Sequence, residues 1–496
     1  MLEHFKDPLP IPRTAIATSP GPNPVYDITM RQIQHEIHSD IGRRTTVWGY
    51  GDGGVNSSSW PGPTFQTSQG QTVTVNWRNN LANVANAPHY LKIDPNTLNG
   101  GIHGATNDRK TVVHLHGGHI AANVDGYPED TFLPGQFAKY VYKLDQANAT
   151  LVYHDHSLGN TRLNVMMGLF GVWVHTDQTE KNLRDAVNPF RLPTPAFEIP
   201  LIIQDRRIKE NGQLGYDQLF DDTFYGDVAV VNGKAWPYLE VQPRKYRFRI
   251  GNASNTRAYT LQLEGRGQMV QIGSDGGLLR SPVKLTELTL VGGERADVVI
   301  DFAQYRDGDN VVLRNNHPGN DTDQALPELM QFRIRGPMVA DGVVLPATLQ
   351  TIVPLNPVGA TERRLVLDDF VDQNVGDSEH MINGKMWDDI EEHIPDGSIE
   401  VWSFVNKTSS IHPMHIHLVQ FQVLSRVDKT GMNLGVNENE KGWKDTVRVG
   451  PKETVKVIAR FKGQGSRGDK PELFAYHCHL LEHEDHEMMR QYELVY

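Results

Sequence analysis

Hydrophobic and polar residues alternate in short stretches along most of the chain, and a period of two is typical of half-buried β-strands. Val73, Val75 and Trp77 alternate with Thr and Asn, and the same alternation recurs at 246–250 and 455–461. Continuous amphipathic helical patterns are few, while 45 glycines and 29 prolines interrupt the apolar stretches. The pattern therefore predicts an all-β chain made of sandwiches or barrels.

One strand pattern occurs three times, as a turn followed by an alternating strand that ends in Asn. Its copies span 70–79, 243–252 and 397–406. A shorter pattern, Asn-Gly-Lys-x-Trp, lies within 231–236 and 382–387, at nearly the same spacing as the last two copies. This agreement indicates internal duplication of a β unit.

Three domains of similar size follow from this repeat and from the length of 496 residues, at about 150 residues per domain. Two polar or proline-rich stretches, at about 176–195 and 336–362, are predicted to be linkers. The predicted domains are residues 1–178, 190–338 and 360–496.

Charge and hydropathy exclude two classes of partner. The chain has 48 Lys and Arg against 60 Asp and Glu, a net charge of −12, without the clustered cations that nucleic-acid binding requires. The most apolar stretch, 165–174, is about half of the ~20 residues that a transmembrane helix needs. The charged N-terminus has no apolar core of a signal peptide. We expect neither nucleic-acid nor membrane binding.

The 21 histidines include four His-x-His pairs, whereas random placement would give roughly one. Residues i and i+2 of a strand point to the same side, so each pair presents two imidazoles together. Eight imidazoles are too many for one four-coordinate zinc ion and indicate a copper site with several ions. The pairs are His114/His116, His154/His156, His415/His417 and His477/His479.

The chain has one cysteine, which excludes intrachain disulfides and thiolate-rich metal sites. Alone, Cys478 could be a small buried residue, a nucleophile or one ligand of a mixed site. On a strand it would face away from His477 and His479, to which the backbone joins it directly. One Cys, two His and a weak axial Met form the ligand set of a blue copper site. The candidate set is Cys478, His412, His483 and Met488.

Four motifs, complete and in order, resemble those of the multicopper oxidases. They are His-Leu-His-Gly-Gly (114–118), Tyr-His-Asp-His (153–156), His-Pro-Met-His-Ile-His (412–417) and His-Cys-His-Leu-Leu-Glu-His-Glu-Asp-His-Glu-Met-Met (477–489). Other stretches, such as 125–129 and 441–445, resemble the bacterial spore-coat laccases, with bilirubin oxidases next. The resemblance covers essentially the whole chain.

The resemblance implies three cupredoxin-like Greek-key β-sandwich domains and four copper ions: one type 1, one type 2 and a type 3 pair. It places His114 and His415 on the type 2 copper. The type 3 ligands would be His116, His154, His156, His417, His477 and His479. Because only the first and third domains supply ligands, the cluster would lie between them. The middle domain would be a spacer, since Ala258 stands where the third domain has His412.

The resemblance also assigns catalytic roles. Asp125 and Glu484 would supply protons for dioxygen reduction, although Asp125 could be a turn former and Glu484 a solvated carboxylate. His483 is the preferred acceptor of donor electrons, with His412 as the alternative. His486 is predicted to lie at the surface or the donor rim, and Met489 to be a packing residue. The remaining histidines have no partner at ligand spacing: His4, His35, His38, His89, His103, His119, His175, His317, His380 and His393.

The predicted activity is that of a laccase-type oxidase, which takes single electrons from phenolic or aromatic-amine donors and reduces dioxygen to water. Bilirubin oxidation is the alternative within the class. Oxidation of Cu(I) or Mn(II) is disfavoured, because the 13 methionines form no Met-rich insert. The non-enzymatic alternative is a structural coat protein or copper buffer. We expect a monomer in the spore coat or cytoplasm, with a mature secreted form left open.

Overall fold

The computed structural model describes residues 2–81, 91, 93, 106–185, 187–193, 195–216, 223–317, 325–371, 378–465 and 471–496. Histidines 89 and 103 therefore lie outside the described residues. Strands dominate the described chain, so the all-β prediction is confirmed. Within these ranges, no helix has the length and apolar character needed to cross a membrane.

The first third of the chain forms two four-stranded sheets, with orders β2-β1-β4-β6 and β3-β8-β7-β5. Rings from both sheets meet, since the centroids of Trp77 and Tyr153 are 5.5 Å apart. The elements are β1 Val25–His35, β2 Thr45–Gly51, β3 Phe65–Ser68, β4 Gln71–Asn79, β5 Val113–His116, β6 Phe137–Leu144, β7 Ala149–Asp155, α1 Thr161–Met167, β8 Phe170–Thr176 and α2 Gln178–Arg184.

The middle third forms a sheet of order β12-β11-β9-β14-β19-β16-β17, with β10 beside β9, and a second sheet of order β13-β21-β20-β15-β18. Phe248 and Phe332 pack between the two sheets, with centroids 5.4 Å apart. The strands are β9 Glu198–Ile208, β10 Leu214–Gly215, β11 Val228–Val231, β12 Lys234–Ala235, β13 Tyr238–Val241, β14 Lys245–Asn252, β15 Tyr259–Leu263, β16 Met269–Ser274, β17 Gly277–Leu285, β18 Leu288–Leu290, β19 Arg295–Asp301, β20 Asn310–Asn315 and β21 Glu328–Ile334.

The last third forms two five-stranded sheets, with orders β23-β22-β25-β29-β27 and β24-β31-β30-β26-β28. Trp402 and Tyr492 connect them, with centroids 5.9 Å apart. The elements are β22 Thr361–Val371, β23 Ser378–Ile382, β24 Glu392–Pro395, β25 Ser398–Asn406, β26 His412–Ile416, β27 Phe421–Val427, β28 Thr446–Val449, β29 Thr454–Phe461, β30 Glu472–Cys478, α3 Leu481–Glu484 and β31 Met489–Val495.

The threefold repeat is visible in the topology. Strands β4, β14 and β25 each pair in parallel with one neighbour (β1, β9 and β22) and antiparallel with another (β6, β19 and β29). The buried Asn at the end of each strand, Asn79, Asn252 or Asn406, accepts a hydrogen bond from the backbone N–H two residues later. Its amide donates to backbone carbonyls across the sandwich. The recurring Asn thus satisfies backbone groups that have left the ladder.

The domain limits stay a prediction, although every sheet lies within one of the three predicted ranges. The predicted linker at 176–195 is not wholly irregular, because it contains α2. Asp177 begins this helix by accepting a hydrogen bond from the Glu180 N–H, as an N-cap residue does.

Candidate metal centres

Two strand pairs carry the eight paired histidines. In the first third, β5 lies beside β7 and His114 is opposite His154. In the last third, β26 lies beside β30 and His415 is opposite His477. All eight imidazoles are buried. The i, i+2 spacing therefore places two rings of every pair on the side where the first and last thirds meet.

The rings from the two thirds interleave. His114 stacks on His417 at 3.8 Å between centroids, and His116 stacks on His415 at 3.7 Å. His477 Nε2 lies 3.2 Å from His156 Nε2 and 3.3 Å from His417 Nε2. Three sets have ligand atoms within 4.8 Å of one another: His114, His116 and His415; His116, His154 and His479; His156, His417 and His477.

Protein oxygens hold one nitrogen of several rings and leave the other directed at the centre of the cluster. The Nδ1 atoms of His114 and His415 donate to the backbone oxygens of Asp125 and Asp445, at 2.6 and 2.8 Å. His116 has the reverse orientation, because its Nε2 donates to Asp445 Oδ1 at 3.0 Å. The opposite nitrogens, Nε2 of His114 and His415 and Nδ1 of His116, have no hydrogen-bond partner.

These unpartnered buried nitrogens fit copper ions. A buried polar atom without a partner is costly, and coordination removes that cost. Burial, supplemented by repulsion between the rings, lowers the pKa of His154 to about 3 and also lowers the pKa of His116, His415 and His417. These four imidazoles are therefore neutral near pH 7, which is the form that binds a metal ion.

Two carboxylates contact rings of the cluster. Glu484 Oε2 lies 3.1 Å from His477 Nδ1, and Glu484 Oε1 lies 3.4 Å from His156 Nδ1. Asp125 Oδ2 accepts a hydrogen bond from His417 Nδ1 at 2.7 Å. Glu484 is buried, so the alternative of a solvated carboxylate is wrong. Asp125 is also buried. It precedes Gly126, which has φ +82°, so Asp125 lies in a turn and also contacts the cluster.

A separate set of ligand atoms surrounds Cys478. Its Sγ lies 3.5 Å from His412 Nδ1 and 3.9 Å from His483 Nδ1, and the two Nδ1 atoms are 3.2 Å apart. The Thr408 hydroxyl, 2.7 Å from His412 Nε2, holds the other side of that ring. Burial lowers the pKa of His412 to about 3 and raises the pKa of the Cys478 thiol. Burial therefore favours the neutral thiol, whereas a bound metal ion would favour the thiolate.

Met488 is buried with Cys478 in the core of the last third, and its backbone oxygen accepts a hydrogen bond from the Cys478 N–H at 2.9 Å. His477 and His479 point instead toward the cluster, as the alternation along β30 predicts. Met489 packs with Leu158 and Trp387 in a different apolar group.

His486 is buried, with 4% of its surface exposed, so the predicted surface position is wrong. It lies in the turn after α3, where its backbone N–H donates to the His483 carbonyl.

The middle third is also more than a spacer. A Cβ on Gly293, which has φ +80°, would lie 2.8 Å from His479 Cδ2, so this backbone touches the cluster.

Sequence reasoning did not single out Arg295, Thr408 or Thr446. Thr446 is 3.1 Å from His116 Nε2, and Arg295 contacts Asp445. The stretch 441–445 gave a usable signal for Asp445, since it was one of the motifs that carry the resemblance. Arg295 has no such local signal, because its role depends on the packing of three parts of the chain.

Sequence profiles of the multicopper oxidases match residues 102–180, 170–330 and 361–494. A laccase of Bacillus subtilis (strain 168) is 36% identical over 100% of this chain and 99% of its own length. The chain belongs to the multicopper oxidase family. A bilirubin oxidase of Albifimbria verrucaria is 33% identical, over 98% of this chain and 80% of its own length.

The fold of this multicopper oxidase agrees with that of solved family members. The crystal structure of the McoA multicopper oxidase from Aquifex aeolicus superposes with a TM-score of 0.83 at 29% identity, covering 99% of this chain and 100% of that one. The three cupredoxin-like sandwiches are thereby confirmed. The protein is an oxidoreductase of the laccase type, with type 1, type 2 and paired type 3 copper ions as cofactors and with an electron donor and dioxygen as its partners.

Proposed function

We propose that this laccase-type oxidase takes electrons from phenolic and aromatic-amine donors at a type 1 copper and reduces dioxygen at the histidine cluster. The type 1 ligands would be Cys478, His412, His483 and Met488. The observation that carries this proposal is the meeting of a thiol and two imidazole nitrogens within 4.8 Å, one residue away from the cluster histidines. When bound, the copper ions supply one-electron chemistry and collect the four electrons that dioxygen needs.

The ligand assignment in the cluster follows the three sets of imidazoles. His114 and His415 would hold the type 2 copper, and the two other sets would each hold one type 3 copper. Those sets are His116, His154 and His479, and His156, His417 and His477. The hydrogen bonds to Asp125 and Asp445 support this proposal, because they hold ring nitrogens that the copper ions would not use.

The backbone of β30 would connect the two centres. Cys478 is bonded to His477 and to His479. Cys478 would therefore bind the type 1 copper, while its two neighbours would bind the cluster. His483 stays the preferred acceptor of donor electrons. Ser410, Ile411 and Pro413, which flank His412, line a small cleft together with Tyr225 and His317 of the middle third. Donors would approach the type 1 site at this cleft.

Two acids would move protons. Glu484 would deliver a proton beside His477 and His156, since its buried oxygens lie 3.1 and 3.4 Å from the Nδ1 atoms of these rings. Asp125 would do so beside His417, through the carboxylate that accepts the hydrogen bond of that ring. Carboxyl groups placed within reach of a reacting oxygen act as general acids.

The test is oxygen uptake by copper-loaded protein with a phenol, with bilirubin and with Cu(I) as separate donors. We expect the phenol to support the highest rate. Faster bilirubin oxidation would assign the activity that the Albifimbria verrucaria relative is named for. Full copper loading without oxygen uptake with any donor would refute the oxidase activity and favour a copper-storing or structural protein.

We further propose that the protein is a monomer, which gel filtration would check. The spore coat or the cytoplasm as its location stays a prediction.

A further inference from the structure

The side chain of Arg295 joins all three parts of the molecule at the cluster. This residue begins β19 in the middle third and is buried. Its Nε donates to the backbone oxygen of Thr150 in the first third, at 2.9 Å. Its Nη1 and Nη2 donate to Oδ1 and Oδ2 of Asp445 in the last third, at 2.7 and 2.5 Å. The guanidinium therefore holds both oxygens of one carboxylate in a bidentate pair.

Asp445 in turn holds two cluster rings. Its Oδ1 accepts from His116 Nε2 at 3.0 Å, and its backbone oxygen accepts from His415 Nδ1 at 2.8 Å. The Thr446 hydroxyl also donates to Oδ1, at 2.9 Å. His116 and His415 come from different thirds of the chain, yet one residue sets the orientation of both.

We propose that Arg295 is a positioning residue for the copper cluster, although none of the copper ligands proposed above lies in the middle third. By fixing the carboxylate of Asp445, it makes His116 present Nδ1 to the cluster. The terminal torsion of an Asp side chain is broad, so a carboxylate without this fork could rotate away from His116. The inference rests on the ligand assignment proposed above.

The chain leaves room for this contact at Gly117. A Cβ at that position would lie 2.5 Å from Asp445 Oδ2 and 2.6 Å from Arg295 Nη2, and φ is +84°. Any side chain there would displace the ion pair. Gly293, two residues before Arg295, is a second position where only glycine fits. A Cβ there would lie 2.8 Å from His479 Cδ2 and 3.1 Å from His116 Cε1. The segment 293–295 thus packs directly against the cluster.

The test compares Arg295→Gln and Arg295→Lys with the wild type. Arg247→Gln is the matched control, because Arg247 is equally buried in the middle third and donates to Asp297 and Glu180 instead. The measurements are copper content, blue absorption, the electron paramagnetic resonance signal of the type 2 copper, and reoxidation by dioxygen after anaerobic reduction by a phenol.

We expect Arg295→Gln to weaken cluster copper binding or slow reoxidation by about 10–100-fold, the usual effect of losing a partner of a metal ligand. The blue absorption and its anaerobic bleaching should not change. Arg295→Lys keeps the charge but loses the fork, and should show the same defect in milder form. Arg247→Gln should lower thermal stability without a cluster defect.

A folded Arg295→Gln protein with wild-type cluster signals and reoxidation would overturn the proposal, as would an equal cluster defect in Arg247→Gln. If Arg295→Gln does not fold, Arg295→Lys decides the question, and wild-type cluster behaviour in that variant is the contrary result. A wild-type protein that does not bind four copper ions would instead refute the ligand assignment.

Discussion

The Sγ atom of Cys478 lies 3.5 Å from Nδ1 of His412, a residue 66 positions earlier in the chain. The contact joins β26 to the end of β30 within the core of the last third. Because His477 and His479 flank this thiol and belong to the cluster, one strand would serve both copper sites. Substitutions on this strand and around it can therefore separate donor oxidation from dioxygen reduction.

Cys478→Ser should abolish the blue absorption and the oxidation of phenols, because the hydroxyl cannot replace the thiolate ligand. The eight cluster histidines are unchanged, so about three copper ions per chain should remain, the number expected of a type 2 and type 3 cluster under the assignment above. Copper analysis and visible absorption measure both effects. A blue band that survives in this variant would contradict the assignment.

Glu484→Gln should slow dioxygen reduction by about 10²–10⁴-fold, the range that general acid catalysis contributes. The blue absorption should remain, because the ion pairs of Glu484 are with the cluster rings of His156 and His477. Glu482→Gln is the matched control: it is equally buried, but its oxygens accept hydrogen bonds from Asn255 and Thr256. Equal rates for the wild type and Glu484→Gln would remove the proton role.

Met488→Leu should raise the reduction potential of the type 1 copper, because loss of the axial thioether removes a donor that stabilises the oxidised ion. Redox titration of the blue absorption measures the shift. Met489→Leu is the control, since that side chain packs with Leu158 and Trp387. A shift in the control that equals the shift in Met488→Leu would argue against axial ligation.

Copper-free protein should lose stability as the pH falls below about 6.5, the pKa of an unfolded histidine. Burial lowers the pKa of His154 and His412 to about 3 in the folded state, so the unfolded chain binds more protons between these values. The free energy of unfolding should therefore decrease by up to about 1.4 kcal/mol per pH unit for each such group. Urea unfolding from pH 7 to 4 checks the slope, and His154→Gln should reduce it. A slope that His154→Gln leaves unchanged would speak against a buried neutral imidazole.

Asn252→Ala should destabilise the protein by about 1–3 kcal/mol, because it leaves the carbonyls of Arg257 and Leu290 and the Ser254 N–H without their partner. Denaturant unfolding measures the loss, and copper content should not change. The exposed Asn316→Ala should have a small effect by comparison. If both variants lose the same stability, the repeated Asn is not a structural requirement of the sandwich.

Local spacing in the sequence was sufficient for the architecture and for the list of proposed ligands. Alternation identifies strands because side chains change faces at every residue. The repeat placed Asn79, Asn252 and Asn406 at equivalent strand ends, and the i, i+2 pairs required each pair of imidazoles to share a face. For the same reason Cys478 had to face away from its two neighbours.

Only the tertiary structure decided which groups meet and in what orientation. His156 and His477 are 321 positions apart, and no local period encodes a contact between strands of different sandwiches. Burial of Glu484 and His486 likewise depends on packing that forms only when the thirds assemble. The reversed ring of His116 and the contact of Arg295 with Asp445 also depend on the assembly of the three thirds. Such long-range hydrogen bonds are the product of the complete fold, and their directions are fixed by which oxygen lies within reach.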